Sequence, residues 1–299
     1  MATLAQQPCA VRTNTAAGYW ALTKPEINFL IAIATFTGFY LGSPKLSSFS
    51  FLPLIHTLLG TVLVASGASA LNQYVERCFD AQMRRTRRRP LASGNLEPSS
   101  ALWFGILLSS AGSLYLAVAV NTLTSVLAMI TLASYLMLYT PLKRRTPWCT
   151  FIGALPGAMP PLIGWAAASG RLSFEAWVLY AMLFLWQFPH FMAIAWMYRE
   201  DYARAGYLVL PTGEQSGRVM SWQATAASLT LLPVSLIPAL IGGAGLLYLA
   251  AACILGSGFF YYSLTLAFRR SNAAARRLLT ASIIYLPLLF FLLVLDSRR

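Results

Sequence analysis

FLPLIHTLLGTVLVASGASALNQYVERCFDAQMRRTRRRP, residues 51–90, holds both the element that sets the fold class and the one that points to chemistry. Its first part, residues 51–74, contains no Asp, Glu, Lys or Arg. That length suits the ~20 residues a helix needs to cross a hydrocarbon core. The second part is abruptly polar. Asn72, Glu76 and Asp80 recur every fourth residue, which stacks them on one helix face over about two turns. Arg84, Arg85, Arg87, Arg88 and Arg89 follow at once. Carboxylates that seek a metal, set beside guanidiniums that seek phosphate, suit a magnesium–diphosphate site. A local ion pair such as Asp80 with Arg84 explains one carboxylate. It does not explain an amide and two carboxylates on one face.

The rest of the chain repeats the first part of this pattern. Of 299 residues, 58% are hydrophobic and only 10% charged, which is too apolar for a soluble domain. Apolar segments fall at roughly 26–43, 51–74, 100–119, 122–140, 150–168, 174–197, 221–241, 244–267 and 277–295. The ~10-residue alternating strands of a membrane β-barrel are absent. The expected class is an all-α polytopic membrane protein, with nine transmembrane helices in a bundle. Residues 1–25 read as a cytoplasmic tail and 26–295 as one transmembrane domain. The tail has no continuous apolar core, so it does not read as a cleavable signal peptide.

The net charge of +13 follows from topology. With the N-terminus inside, the inner segments carry 18 of the 22 Lys and Arg residues. Lys45, Arg171, Arg298 and Arg299 fall outside. This is the positive-inside pattern, and it accounts for the basicity with no nucleic-acid partner. Glu26, Glu76, Asp80, Glu97, Glu200, Asp201 and Glu214, seven of nine acids, also fall on the inner side. The chemistry is therefore expected to face the cytoplasm.

Further signals sit at the same side. The sixth apolar segment runs into Arg199-Glu200-Asp201 and later Leu210-Pro211, much as the second runs into its acids and a proline. Segments four and eight both end in basic clusters, Lys143-Arg144-Arg145 and Arg269-Arg270. A 4+4 pseudo-repeat plus one helix would place two acidic clusters across one cavity. Asn72, Glu76, Asp80, Glu200 and Asp201 are the expected metal ligands; Asn72, Glu76, Asp80 and Asp201 double as catalytic groups. Arg84, Arg87, Lys143 and Arg144 are the expected diphosphate contacts. His190, within Gln187-Phe188-Pro189-His190-Phe191, is an ionisable group inside a membrane segment, by default a functional one. His56 reads as interfacial. The small residues of 153–165 allow close helix approach and suggest a surface for a wide, flat ligand. Cys9, Cys78, Cys149 and Cys253 show no metal-ligand spacing and receive no role.

These stretches resemble the UbiA-type intramembrane prenyltransferases, and within them the heme-farnesylating branch. The residues that carry the likeness are Thr23-Lys24-Pro25, Asn72 through Pro90, Tyr139-Thr140-Pro141-Leu142-Lys143-Arg144, the 153–165 segment, the Phe-Pro-His-Phe stretch, and Arg199 through Gly206. They span residues 23–211, about two thirds of the chain. Glu76 and Glu200 stand where many relatives carry Asp, and Glu26 stands where a basic residue is common. The resemblance implies farnesyl transfer from farnesyl diphosphate to a vinyl group of heme B, with Mg2+ as cofactor. His190 would serve the heme acceptor. It further implies residence in the cell inner membrane among lipid, and makes heme-modifying or oxidase-assembly proteins natural partners. Two other readings remain open here: prenyl transfer to an aromatic quinone precursor, and a repeat-built secondary transporter with the acids as ion-coupling sites.

Overall fold

The computed structural model describes residues 16–43, 50–208 and 217–298. Most of the expected tail, with Arg12 and Cys9, lies outside them, as do Lys45, Leu210, Pro211, Glu214 and Arg299. All nine apolar segments are helical. α1 (Ala16–Thr23) and α2 (Pro25–Gly42) are followed by α3 (Phe51–Asp80), α4 (Pro98–Ala119) and α5 (Thr122–Ala133). A π-helical stretch, Ser134–Tyr139, joins α5 to the short α6 (Thr140–Leu142). The fifth segment divides into α7 (Cys149–Gly157) and α8 (Pro160–Ser169), because Pro160 and Pro161 cannot donate to the preceding turn. α9 (Phe174–Met197), the short α10 (Arg199–Arg204), α11 (Arg218–Leu240), α12 (Leu246–Arg269) and α13 (Asn272–Leu295) complete the chain. No strand occurs among the described residues beyond a single bridge, Ala244 to Ser297.

Eight of the described spans are long and apolar enough to cross a membrane. The first segment's helix, α2, is not among them: it has 18 residues and begins Pro25-Glu26-Ile27-Asn28. All nine expected helices are therefore present, eight of them long and apolar enough to cross by themselves and the first, α2, shorter and more polar. Side chains such as Leu107, Leu114, Val118, Leu246, Ile254 and Phe291 are exposed around the bundle, as a hydrocarbon solvent favours. α3 is the exception in length. Its 30 residues reach about 45 Å, against ~30 Å of hydrocarbon. The excess lifts Glu76 and Asp80 to the membrane boundary.

The described end of the expected tail, residues 16–25, belongs to the packed body. Leu22 is fully buried, and the Gln73 side chain donates to its carbonyl at 3.0 Å. Tyr19 meets Phe104 edge-on. Asn28 then donates to Ser66 Oγ at 2.8 Å and to the Thr23 carbonyl at 2.9 Å, locking α1 and α2 against α3.

The small residues of 153–165 form joints between helices, not a free flat face. A Cβ at Gly164 would strike the backbone of Thr35 and Phe39, and one at Gly38 would strike Pro161. α2 and α8 thus meet backbone to backbone. Gly153 lies under the Tyr139 ring, and Gly157 against the Gln187 amide. Gly164→Leu is expected to cost about 3 kcal/mol by overpacking, because backbone cannot step aside. Thermal unfolding in detergent checks this. Gly258→Leu is the control, since its Cβ direction is open, and it should leave the midpoint unchanged.

Candidate active site

The site forms where α3 ends. Helical spacing puts Asn72, Glu76 and Asp80 on a buried face, at 1%, 5% and 1% exposure. Asn72 Nδ2 donates to Thr140 Oγ1 at 3.2 Å. Thr140 in turn donates to the Tyr135 carbonyl at 2.9 Å, a contact made across the π-helical stretch. That wider turn sets Tyr135, Tyr139, Thr140 and Lys143 along one wall; π-helical turns of this kind recur at functional sites.

Each buried carboxylate holds a base. Lys143 Nζ donates to Glu76 Oε1 at 2.8 Å, and Arg89 Nη1 to Asp80 Oδ2 at 2.7 Å. Asp201, at the start of α10, pairs with Arg204 and accepts the Arg85 backbone N–H at 3.2 Å. Arg85 Nη2 also donates to the Tyr202 hydroxyl at 3.1 Å, and its guanidinium lies over Tyr198 at 4.9 Å. Lys143 sits over the Tyr139 ring at 4.5 Å. The two acidic loops therefore touch, and Met83, Ala205 and Tyr207 pack between them with Phe79 and Tyr202.

Local winding decides which arginines turn inward. After α3 the chain coils in turns: Thr86 Oγ1 donates to the Asp80 carbonyl at 2.8 Å, and the Arg87 amide to the Met83 carbonyl at 2.9 Å. Buried Met83, Leu91 and Leu96 anchor the coil. It directs Arg89 and the Arg85 amide to the carboxylates and leaves Arg84, Arg87 and Arg88 exposed. Of the expected diphosphate contacts, Lys143 is therefore inside the cluster. Arg84 and Arg87 are exposed, and so is Arg144, its guanidinium over the Phe79 ring at 4.2 Å. Glu200 is exposed and does not join Asp201 in the cluster.

Electrostatics bring in a residue that spacing alone did not assign. Lys24 links α1 to α2 in a left-handed conformation, φ 51°. Loss of water around it, then the nearby positive charges of Arg89 and Lys143, lower its pKa to about 7 against the opposing pull of Glu76 and Asp80. Lys143 moves the other way. Burial pulls it down, but Glu76 and Tyr135 outweigh that and hold it above the ordinary lysine value. Burial, then Glu76 and Asp80, raise the Tyr207 phenol. Lys24, Arg85, Arg89, Tyr139, Tyr202 and Tyr207 thus complete a site for which Asn72, Glu76, Asp80, Lys143 and Asp201 were expected.

The donor set fits magnesium held jointly with a phosphate. Asp80 Oδ1 is buried with no hydrogen-bond partner, an orphaned carboxylate oxygen on a residue whose other oxygen holds Arg89. No three acidic, His or Cys side chains among the described residues gather closely enough to hold an ion unaided. The five-residue ligand set expected from sequence is therefore not assembled as one cluster. Magnesium characteristically uses one or two carboxylates and completes its shell with substrate oxygens and water.

His190 lies elsewhere. Its Nδ1 meets Ser282 Oγ of α13 at 2.8 Å, and its ring stacks on Trp186 at 4.8 Å between centroids. Trp186 Nε1 donates to the Ser282 carbonyl at 2.9 Å. His56 is taken by Tyr115 at 2.5 Å, a joint between α3 and α4.

Comparison with known proteins identifies the family. Residues 31–294 match the UbiA prenyltransferase family. The chain is 50% identical over 285 residues to the protoheme IX farnesyltransferase of Solibacter usitatus, covering 93% of this chain and 98% of that protein. It is 44% identical over 290 residues to the protein of the same name from Koribacter versatilis, covering 93% and 92%. Among solved structures, one of a digeranylgeranylglyceryl phosphate synthase superposes with a TM-score of 0.77 at 17% identity, covering 94% of this chain and 97% of that one. A UbiA homolog from Archaeoglobus fulgidus bound to DMAPP and Mg2+ superposes with a TM-score of 0.64 at 14% identity, covering 92% and 98%. The likeness to these structures is one of fold, whereas the family match runs through both acidic loops and the helices that carry them, and the chain belongs to the UbiA prenyltransferase family.

Proposed function

We propose that this prenyltransferase moves a farnesyl group from farnesyl diphosphate to a vinyl group of heme B, with addition of water, giving heme O. The observation that carries the diphosphate half is the cluster itself: buried Glu76 and Asp80, each holding a base, with Asp80 Oδ1 left without a partner. The heme half rests on the names of the relatives and on His190. Breaking the C–O bond at C1 of the donor leaves an allylic cation and a diphosphate. Magnesium, when bound, supplies positive charge to that leaving group. Asp80, Glu76 and Asn72 would hold it, with Asp201 across the loop contact. Lys143, Arg89, Arg85 and Lys24 stabilise the departing oxygens. The vinyl carbon attacks the cation. Water then adds at the neighbouring carbon and releases a proton, leaving a hydroxyethylfarnesyl group. The apolar bundle buries the isoprenoid at ~0.8 kcal/mol per CH₂ and keeps bulk water from the cation. Glu200, exposed beside Asp201, receives no role.

The deciding experiment incubates purified protein with heme B, farnesyl diphosphate and magnesium, and seeks heme O by mass. No heme O, with product formed on an aromatic quinone precursor instead, would replace the acceptor. A transporter would place its acids near the bilayer midplane. Here they lie at helix ends and are bound to bases.

The charge split further supports a cell inner membrane location with the N-terminus and the acidic loops cytoplasmic. Ser93 is exposed in the arginine-rich loop. A Ser93→Cys protein in intact cells should resist membrane-impermeant thiol reagents from the periplasmic side. Efficient labelling there would invert the topology.

A further inference from the structure

A second basic site lies outside the carboxylate cluster, on the face made by α12 and α13. A cavity of about 630 Å³ opens there, lined by Tyr262, Asn272, Arg276, Arg277, Thr280 and Ile284 among others. It lies at the carboxylate-bearing end of the bundle, because Asn272 Oδ1 accepts Arg199 Nη1 at 3.0 Å and Arg199 opens the helix that carries Asp201. Its floor, Ala281 and Ile284, runs toward the hydrocarbon. Its mouth holds two exposed guanidiniums, an amide and a hydroxyl. Arg269 and Arg270 are exposed at the end of α12, just before α13 begins, and no Asp or Glu occurs between residues 217 and 295. No ion pair involving Arg276 or Arg277 occurs among the described residues.

Positive-inside topology requires arginines at this end, but it requires neither a cavity between two helices nor that arginines line it. A slot with a cationic, hydrogen-bonding mouth over an apolar floor is complementary to an amphiphile with an anionic head. At a membrane boundary that amphiphile is a lipid. We propose that this groove is a binding site for an acidic glycerophospholipid, its phosphate on Arg276 and Arg277 and an acyl chain over Ala281 and Ile284. Guanidinium pairs recognise phosphate oxygens in bidentate fashion, so the site favours anionic over zwitterionic heads. Asn272 joins the groove wall to Arg199, so the lipid would also brace the start of the helix that carries Asp201.

Native mass spectrometry of the detergent-purified full chain, titrated with phosphatidylglycerol or phosphatidylcholine, tests this. Wild type should retain phosphatidylglycerol with a preference on the order of tenfold. Arg276→Gln with Arg277→Gln should abolish the preference. Ile284→Trp, which fills the floor and keeps both charges, should lose the lipid as well; Ile284 is exposed, so folding tolerates the change. Equal retention of both lipids by wild type would overturn the proposal, as would an unchanged preference in the double variant. Glycerol 3-phosphate alone, competing as well as the lipid, would show a soluble phosphate site and overturn it too.

Discussion

Asp80→Asn is expected to lower prenyl transfer by about 10²–10³-fold or more while the protein still inserts and folds. The side chain is 1% exposed, and its two oxygens have different duties. Oδ2 anchors Arg89, and Oδ1 is buried with no partner. The amide keeps the shape and can still accept from Arg89 but removes the charge, so a loss of rate far larger than the accompanying fall in thermal midpoint separates chemistry from architecture. Rate measured across a magnesium titration gives the sharper result: the variant should need far more magnesium, or fail to respond. Near-normal, magnesium-dependent turnover would remove Asp80 from the diphosphate site.

His190→Ala should reduce heme affinity by at least about 100-fold and leave farnesyl diphosphate affinity nearly unchanged. The geometry favours a ligating role through a donor count. Ser282 has one hydroxyl proton, given to the Leu279 carbonyl at 2.6 Å. Its oxygen must then accept from His190, so Nδ1 carries the ring proton and Nε2 keeps its lone pair. Ser282→Ala removes that orientation and should cost about tenfold in heme affinity. The break between α9 and α10 separates His190 from Asp201, and His190 pairs with Ser282 of α13 instead of with the carboxylate cluster, which suits it to the acceptor and not to the diphosphate. Paired titrations of both substrates check this. Lost farnesyl diphosphate affinity with heme binding intact would move His190 to the donor site.

The helices were legible because lipid leaves the chain few options: unbroken apolar runs must be helical, and all nine are. Within the site, Asn72, Glu76 and Asp80 were legible because a helix has a fixed period. The arginines were not, since they lie in turns after Asp80 where no period applies. Thr86, capping back onto the Asp80 carbonyl, chooses Arg89 and the Arg85 amide over Arg84 and Arg87. Lys24 was visible only as part of a motif, and its approach to Glu76 depends on α1 packing through Leu22 and Gln73. Glu200 and Asp201 were read as a pair, although neighbours on a helix diverge, and only Asp201 turns inward. The 153–165 glycines signalled close approach correctly, but the sequence did not say that the approaching body was α2, Tyr139 and Gln187.

The ion pairs of the cluster bear on the order of ligand binding. Lys143 and Arg89 are each committed to a buried carboxylate. A purely anionic ligand would have to draw these bases away and strand Glu76 and Asp80 without counter-charge. A lone cation would strand the bases instead. Only a ligand carrying both signs lets every partner be exchanged at once. Free-energy linkage then makes the two halves mutually dependent: each raises the affinity for the other by the same factor. On the proposed function, the resting cluster would work as a coincidence detector, closed to either half alone and opened by both together.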